Sequence, residues 1–191
     1  MENDQWALFE TLVKVGAGAG LTALVAATKS HLDHIKQVKR LVRSVQHEFQ
    51  LNLHLIERNR VTISADAEWS AKEPPGEAYD GVLKLNTFAI APAIASGILD
   101  DLPDETAEAL RTLSFSIQVF NQMAGNRELF RATAKPLASY KEWRLAMNDR
   151  IVGQAGVVER NIASTAAMLT GVEKAIALSP RGMLSRLKRP A

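Results

Sequence analysis

The chain of 191 residues has no cysteine. Disulfides, thiolate metal sites and cysteine nucleophiles are excluded, while the redox compartment stays open. Aromatic residues make up only 6%, and no nucleic-acid-binding motif accompanies them, so nucleic acid is not expected as a partner. No phosphate loop, dinucleotide fingerprint, zinc-protease helix, nucleophile elbow or kinase signature occurs. No catalytic, cofactor-binding or metal-binding residue is assigned, and the expectation is a protein without enzymatic activity or cofactor. Charge of one sign is not in excess either, since the formal net charge is +2.

That small total is a cancellation between blocks. Residues 1–28 carry net −2, residues 29–60 net +4, residues 61–132 net −6 and residues 133–191 net +6. Apolar residues are 47% and charged residues 23%, ordinary for a globular chain of one sizeable domain.

Long hydrophobic runs are also missing. Val15–Thr28 is a stretch of 14 uncharged residues between Lys14 and Lys29, whereas a spanning helix needs about 20. The length suffices only if the segment begins near Trp6 and takes in Glu10 and Lys14, which share one helix face in the favourable order and lie near the interface. Gly16 and Gly20 form a GxxxG pair that allows close helix–helix contact in a membrane. Three glycines weaken a helix in water by about 1 kcal/mol each. The flanks add an acidic amino end and a basic collar of Lys29, Lys36, Lys39, Arg40 and Arg43. The positive-inside rule then places the amino terminus outside and the remainder in the cytoplasm. The favoured expectation is a single-pass anchor in a bacterial inner membrane, with the collar on anionic headgroups. A buried helix of a soluble protein and a cleavable signal are the alternatives.

Between Lys29 and Arg58 there is no proline or glycine. Ile35, Val38, Val42, Val45, Phe49, Asn52 and Ile56 are spaced alternately three and four apart, the seam of a helix that buries one face against another. All four histidines, His31, His34, His47 and His54, lie on this helix, without the convergent acids or thiols of a metal site; their protonation would make the block more basic.

Val61–Trp69 alternates apolar and polar, which is strand periodicity. Pro74-Pro75-Gly76 and Asp80-Gly81 mark a loop, and Val82–Leu85 is a candidate return strand, so 61–86 is read as a long Pro/Gly loop or a small β-ribbon. Asn86 or Thr87 is expected to cap a short helix ending at Gly97. A further helix is expected from Asp101-Leu102-Pro103, ending before Pro136. The last helix is expected over 136–178 with a kink near Gly153 and Gly156, followed by a basic tail over 179–191.

The elements Glu48-Phe49-Gln50-Leu51-Asn52, Asn86-Thr87-Phe88-Ala89, Ala95-Ser96-Gly97-Ile98-Leu99, Asp101-Leu102-Pro103 and Phe120-Asn121 resemble a loose group of uncharacterised bacterial single-span membrane proteins, over roughly residues 6–125. That group has no assigned activity. The resemblance implies a small cytoplasmic helical domain held at the membrane. Asn52 and Asn121 are read as structural: a buried asparagine can satisfy loop backbone that has no ladder of its own. The expected class is therefore mainly α. An amino-terminal helix (1–28) continues into a helical bundle (29–178), and the function is that of a non-catalytic accessory or scaffold subunit meeting lipid and a protein partner. The alternatives are a soluble bundle that homo-oligomerises through its apolar first helix, and a membrane-perturbing effector.

Overall fold

The computed structural model describes residues 2–70, 81–134 and 140–178, with side chains for 25–30, 32–68, 81–130 and 141–176. Its elements are α1 (Glu2–Ser70), α2 (Ile90–Ala95), a 3-10 turn (Ile98–Asp101), α3 (Asp104–Ala134) and α4 (Tyr140–Leu178). The chain divides into two compact units, Met1–Arg40 and Leu41–Ala191.

In the first unit, Lys29, Lys36 and Arg40 are exposed and Lys39 half-exposed, and Lys36 pairs with Asp33 at 3.0 Å. Gly16 and Gly20 lie within α1, outside the described side chains. No helix among the described residues is long and apolar enough to cross a membrane. The physical reason is length: 14 uncharged residues rise only ~21 Å, and any extension brings in charge.

The second unit is held by three heptad stripes. On α1 the stripe is Val42, Val45, Phe49, Asn52, Ile56, Asn59, Ile63 and Asp66, with Glu48 buried beside it. On α3 they include Thr106, Leu110, Leu113, Ile117, Phe120, Ala124 and Arg127, and on α4 Arg144, Asn148, Ile151, Ala155, Val158, Ile162, Thr165 and Leu169. Each set alternates steps of three and four, the pattern that keeps one helix face turned to a neighbour. The backbones of α3 and α4 approach each other closely.

The alternation over 61–69 does not produce a strand. Among the described residues there is no strand at all, and this segment completes α1. The seam runs on through Asn59, Ile63 and Asp66, leaving Val61 64% exposed, so burial follows the helical period and overrides the period of two. Val82–Leu85 is extended without a partner strand, so the β-ribbon is not formed. The short helix begins later than expected, with Ala89 at its N-cap and no side-chain cap of its own. Pro92 falls in its first turn, where a missing N–H costs no helical bond. Gly97, at φ +74°, ends it in the left-handed conformation that glycine adopts freely. Asp101 belongs to the 3-10 turn, and α3 starts at Asp104 with Thr106 and Ala107 N–H donating to Pro103 O. Residues 135–139 and the basic tail lie outside the described residues. Gly153 and Gly156 sit inside an uninterrupted α4.

Candidate functional site

A set of buried polar groups surrounds the segment 81–89, which has neither helix nor strand and ends in the turn at Phe88 and Ala89. This strap has backbone groups to satisfy and no ladder to satisfy them. Asparagine side chains take the place of a partner strand, because a primary amide offers a donor and an acceptor together. Leu83 N–H donates to Asn59 Oδ1 and Asn59 Nδ2 donates to Leu83 O, both at 2.8 Å. Asn121 makes the same reciprocal pair with Leu85, at 2.7 and 2.9 Å, and Asn52 with Asn86, at 2.7 and 3.0 Å. Two carboxylates close the ends: Val82 N–H donates to Glu128 Oε1 at 3.2 Å, and Ala89 N–H donates to Glu48 Oε2.

The register has a simple origin. Residues 83, 86 and 89 face α1, while 82 and 85 face α3. Seven residues of α-helix rise ~10.5 Å, close to the ~9.3 Å of three residues in a polyproline-like chain. Asn52 and Asn59 are seven apart and hold strap residues three apart. Asn121 and Glu128 repeat that relation on α3. The strap therefore runs antiparallel to both helices.

Glu48 is wholly buried. Burial pushes its carboxyl above the ordinary value, against the opposing pull of the Ala89 and Ile90 N–H groups. Its Oε1 is buried with no hydrogen-bond partner. The folded chain holds this proton more tightly than the unfolded one. The contribution is therefore fully present below the ordinary value of 4.5 and is lost as pH rises through the raised value. Glu48→Gln does not titrate. The stability of the wild type relative to Glu48→Gln is thus expected to fall as pH rises from about 4 to about 7, as read by denaturation at each pH. A difference that stays flat or grows contradicts this.

At the other end of the strap lies an ion cluster. Asp66 is 1% exposed. It accepts from Arg127 Nη2 at 3.0 Å, Arg144 Nε at 2.7 Å and Asn148 Nδ2 at 2.8 Å, and it pairs a second time with Arg144 Nη2. Arg127 also donates to Asn148 Oδ1 at 2.8 Å and to Glu128. Burial pulls the Asp66 carboxyl upward. Hydrogen bonds from Arg144 and Asn148, with the charges of both arginines, outweigh it and hold the group below its ordinary range. Glu128 thus joins the cluster to the strap. A Cβ at Gly81 would lie 3.2 Å from the Glu128 carboxyl. Gly81→Ala is expected to lower stability by about 1 kcal/mol through crowding of that doubly used carboxylate. An unchanged denaturation midpoint would show that it moves aside freely.

A cavity of about 350 Å³ opens between α1 and α4 over Phe49, Leu53, Ile162, Ala163 and Ala166. Glu159 stands at its edge, paired with Arg60.

The sequence singles out Asn52 and Asn121, and the strap brings both together from different helices. It misses Asn59, Glu48, Glu128, Asp66, Arg127 and Arg144. A signal for two of them exists: Asn59 and Asp66 continue the seam at seven-residue intervals from Asn52. Arg43, His47 and His54 are exposed and His34 is half-buried. No group of acids and histidines among the described residues could hold a metal ion. Set beside known protein families, curated proteins and solved structures, the chain matches none. The class that the fold defines is an all-α chain whose carboxyl-terminal unit clamps an extended strap with side-chain amides.

Proposed function

We propose that this chain is a non-catalytic helical interaction protein, an accessory or scaffold subunit of a larger complex. The observation that supports the reading is how the buried polar groups are used. Asn52, Asn59, Asn121, Glu48 and Glu128 bond the chain's own backbone, and Asp66 bonds two arginines. Networks satisfied in this way rigidify a core and specify one shape. Purification of the full chain in mild detergent tests it. A protein retained in fixed stoichiometry through gel filtration is expected; a chain that elutes alone at every salt concentration overturns the reading.

A second reading, membrane attachment, is favoured by the exposure of Lys29, Lys36, Arg40 and Arg43. Each would gain about 1 kcal/mol near anionic headgroups. Gly16 and Gly20 would then supply the helix–helix contact, with the amino terminus outside and the larger unit cytoplasmic. Carbonate washing of membranes separates the cases: retention in the pellet is expected for an integral anchor, and release into the supernatant refutes it.

A further inference from the structure

Helix α3 carries 15 consecutive residues, Thr112 to Asn126, without a charged side chain, in a chain where 23% of residues are charged. One side of this run is the core stripe of Leu113, Ile117, Phe120 and Ala124. The outer side has a seam of its own: Phe115, Gln118, Gln122, Gly125 and Leu129, again spaced three and four apart. Phe115 and Leu129 are each 66% exposed, and nothing lies within 4 Å of where a Gly125 Cβ would stand. The outer face of a helix is ordinarily charged. Depletion of charge around an aromatic anchor is instead the composition of an interface centre.

The order of these side chains identifies the occupant. A single two-fold axis at the level of residue 120, perpendicular to the helix, sets Phe115 opposite Gly125 of the copy and Gln118 opposite Gln122. A large ring meets the gap that glycine leaves, and amide meets amide, each twice. An isologous contact requires this self-complementarity. Charge agrees with it. A two-fold pairing lays a face on its own copy, so a charge near the axis meets its like; the nearest charge on this face is Arg111, at the end of the paired stretch, where the axis sets it opposite Leu129 of the copy.

We propose that two copies of this chain pair antiparallel through the exposed face of α3, with Phe115 of each seated over Gly125 of the other. The paired stretch, Arg111 to Leu129, is ~27 Å long. One helix per copy over that length falls at the small end of interfaces, below about 1,200 Å², so the dimer is weak and concentration-dependent. The proposal rests on α3 alone and on neither reading above.

Because the chain lacks cysteine, an introduced thiol reports a single position. In the full chain, mixing Gln118→Cys with Gln122→Cys is expected to give a mixed disulfide dimer under mild oxidation, several-fold above Ser164→Cys on the outer face of α4. Phe115→Glu is expected to weaken association in sedimentation by about tenfold or more, as loss of a central aromatic anchor does. Gly125→Leu is the sharper variant. It fills the gap and should abolish the dimer without lowering the monomer's melting temperature, whereas a face that merely gathers apolar surface would associate more. Cross-linking no better than at Ser164→Cys overturns the proposal. So does a dimer that survives Phe115→Glu or strengthens with Gly125→Leu.

Discussion

Asp66→Ala is expected to destabilise the folded chain by about 3–5 kcal/mol, the range for removing one partner from a buried ion pair. The reason is what remains. Arg127 and Arg144 are 2% and 7% exposed. Glu128, the carboxylate that stays beside Arg127, is already shared between that arginine and the strap. The loss is a large part of the ~5–15 kcal/mol that holds a typical domain together. Chemical denaturation measures it directly. Replacing the whole set by apolar residues is expected to recover much of the loss, because desolvation of the charges disappears with them. A variant within about 1 kcal/mol of wild type would mean that water reaches the arginines, and that the cluster is not the buried pair described.

The pH dependence has the opposite sign from that of Glu48. The Asp66 carboxyl is held below its ordinary value of 3.8, so its contribution is present above that pH and is lost as pH falls through the folded value. Acidification from neutrality should first relieve Glu48 and only later unload Asp66. Wild-type stability would then pass through a maximum that Glu48→Gln shifts toward higher pH.

The second large effect concerns the clamp. Asn52→Ala, Asn59→Ala and Asn121→Ala each strand one backbone N–H and one C=O of the strap. Two unsatisfied buried groups cost about 2–4 kcal/mol in total. Hydrogen exchange gives the local readout: the amide of Asn86, Leu83 or Leu85, respectively, should lose its protection. Asn→Asp at the same positions keeps the acceptor but loses the donor and buries a charge, so it should not rescue. If Asn52→Ala and Asn121→Ala each leave the melting temperature unchanged, the asparagines do not hold the strap.

Much of the helical architecture is legible in the linear order of residues. The seam through Val42, Val45, Phe49 and Ile56 marks a helix face, Pro136 lies just beyond the end of α3, and Gly97 ends α2. The strand expected over 61–69 shows where local reading fails. Its alternation of Val, Ile and Ala with polar residues is genuine, but Asn59 and Asp66 are seam positions in polar disguise. Beyond Ile56 the buried stripe runs on through Asn59, Ile63 and Asp66 with Ile63 alone apolar, so a hydrophobic count loses it there. Helix α2 starts later than its local residues suggest for a related reason, since the carboxylate at its start comes from Glu48, 41 residues earlier.

Helicity, the lack of thiol chemistry and the layout of charge in blocks are already fixed in the order of the residues. These follow from composition and from periods of three and four residues, which a chain carries whatever surrounds it. What the polar residues do emerges only when the helices pack. Asp66 meets Arg127 across 61 residues and Arg144 across 78, and Asn121 meets Leu85 across 36. Such pairings are selected by the cost of burying an unpaired charge or amide, and that cost arises only once three helices and the strap enclose the same volume.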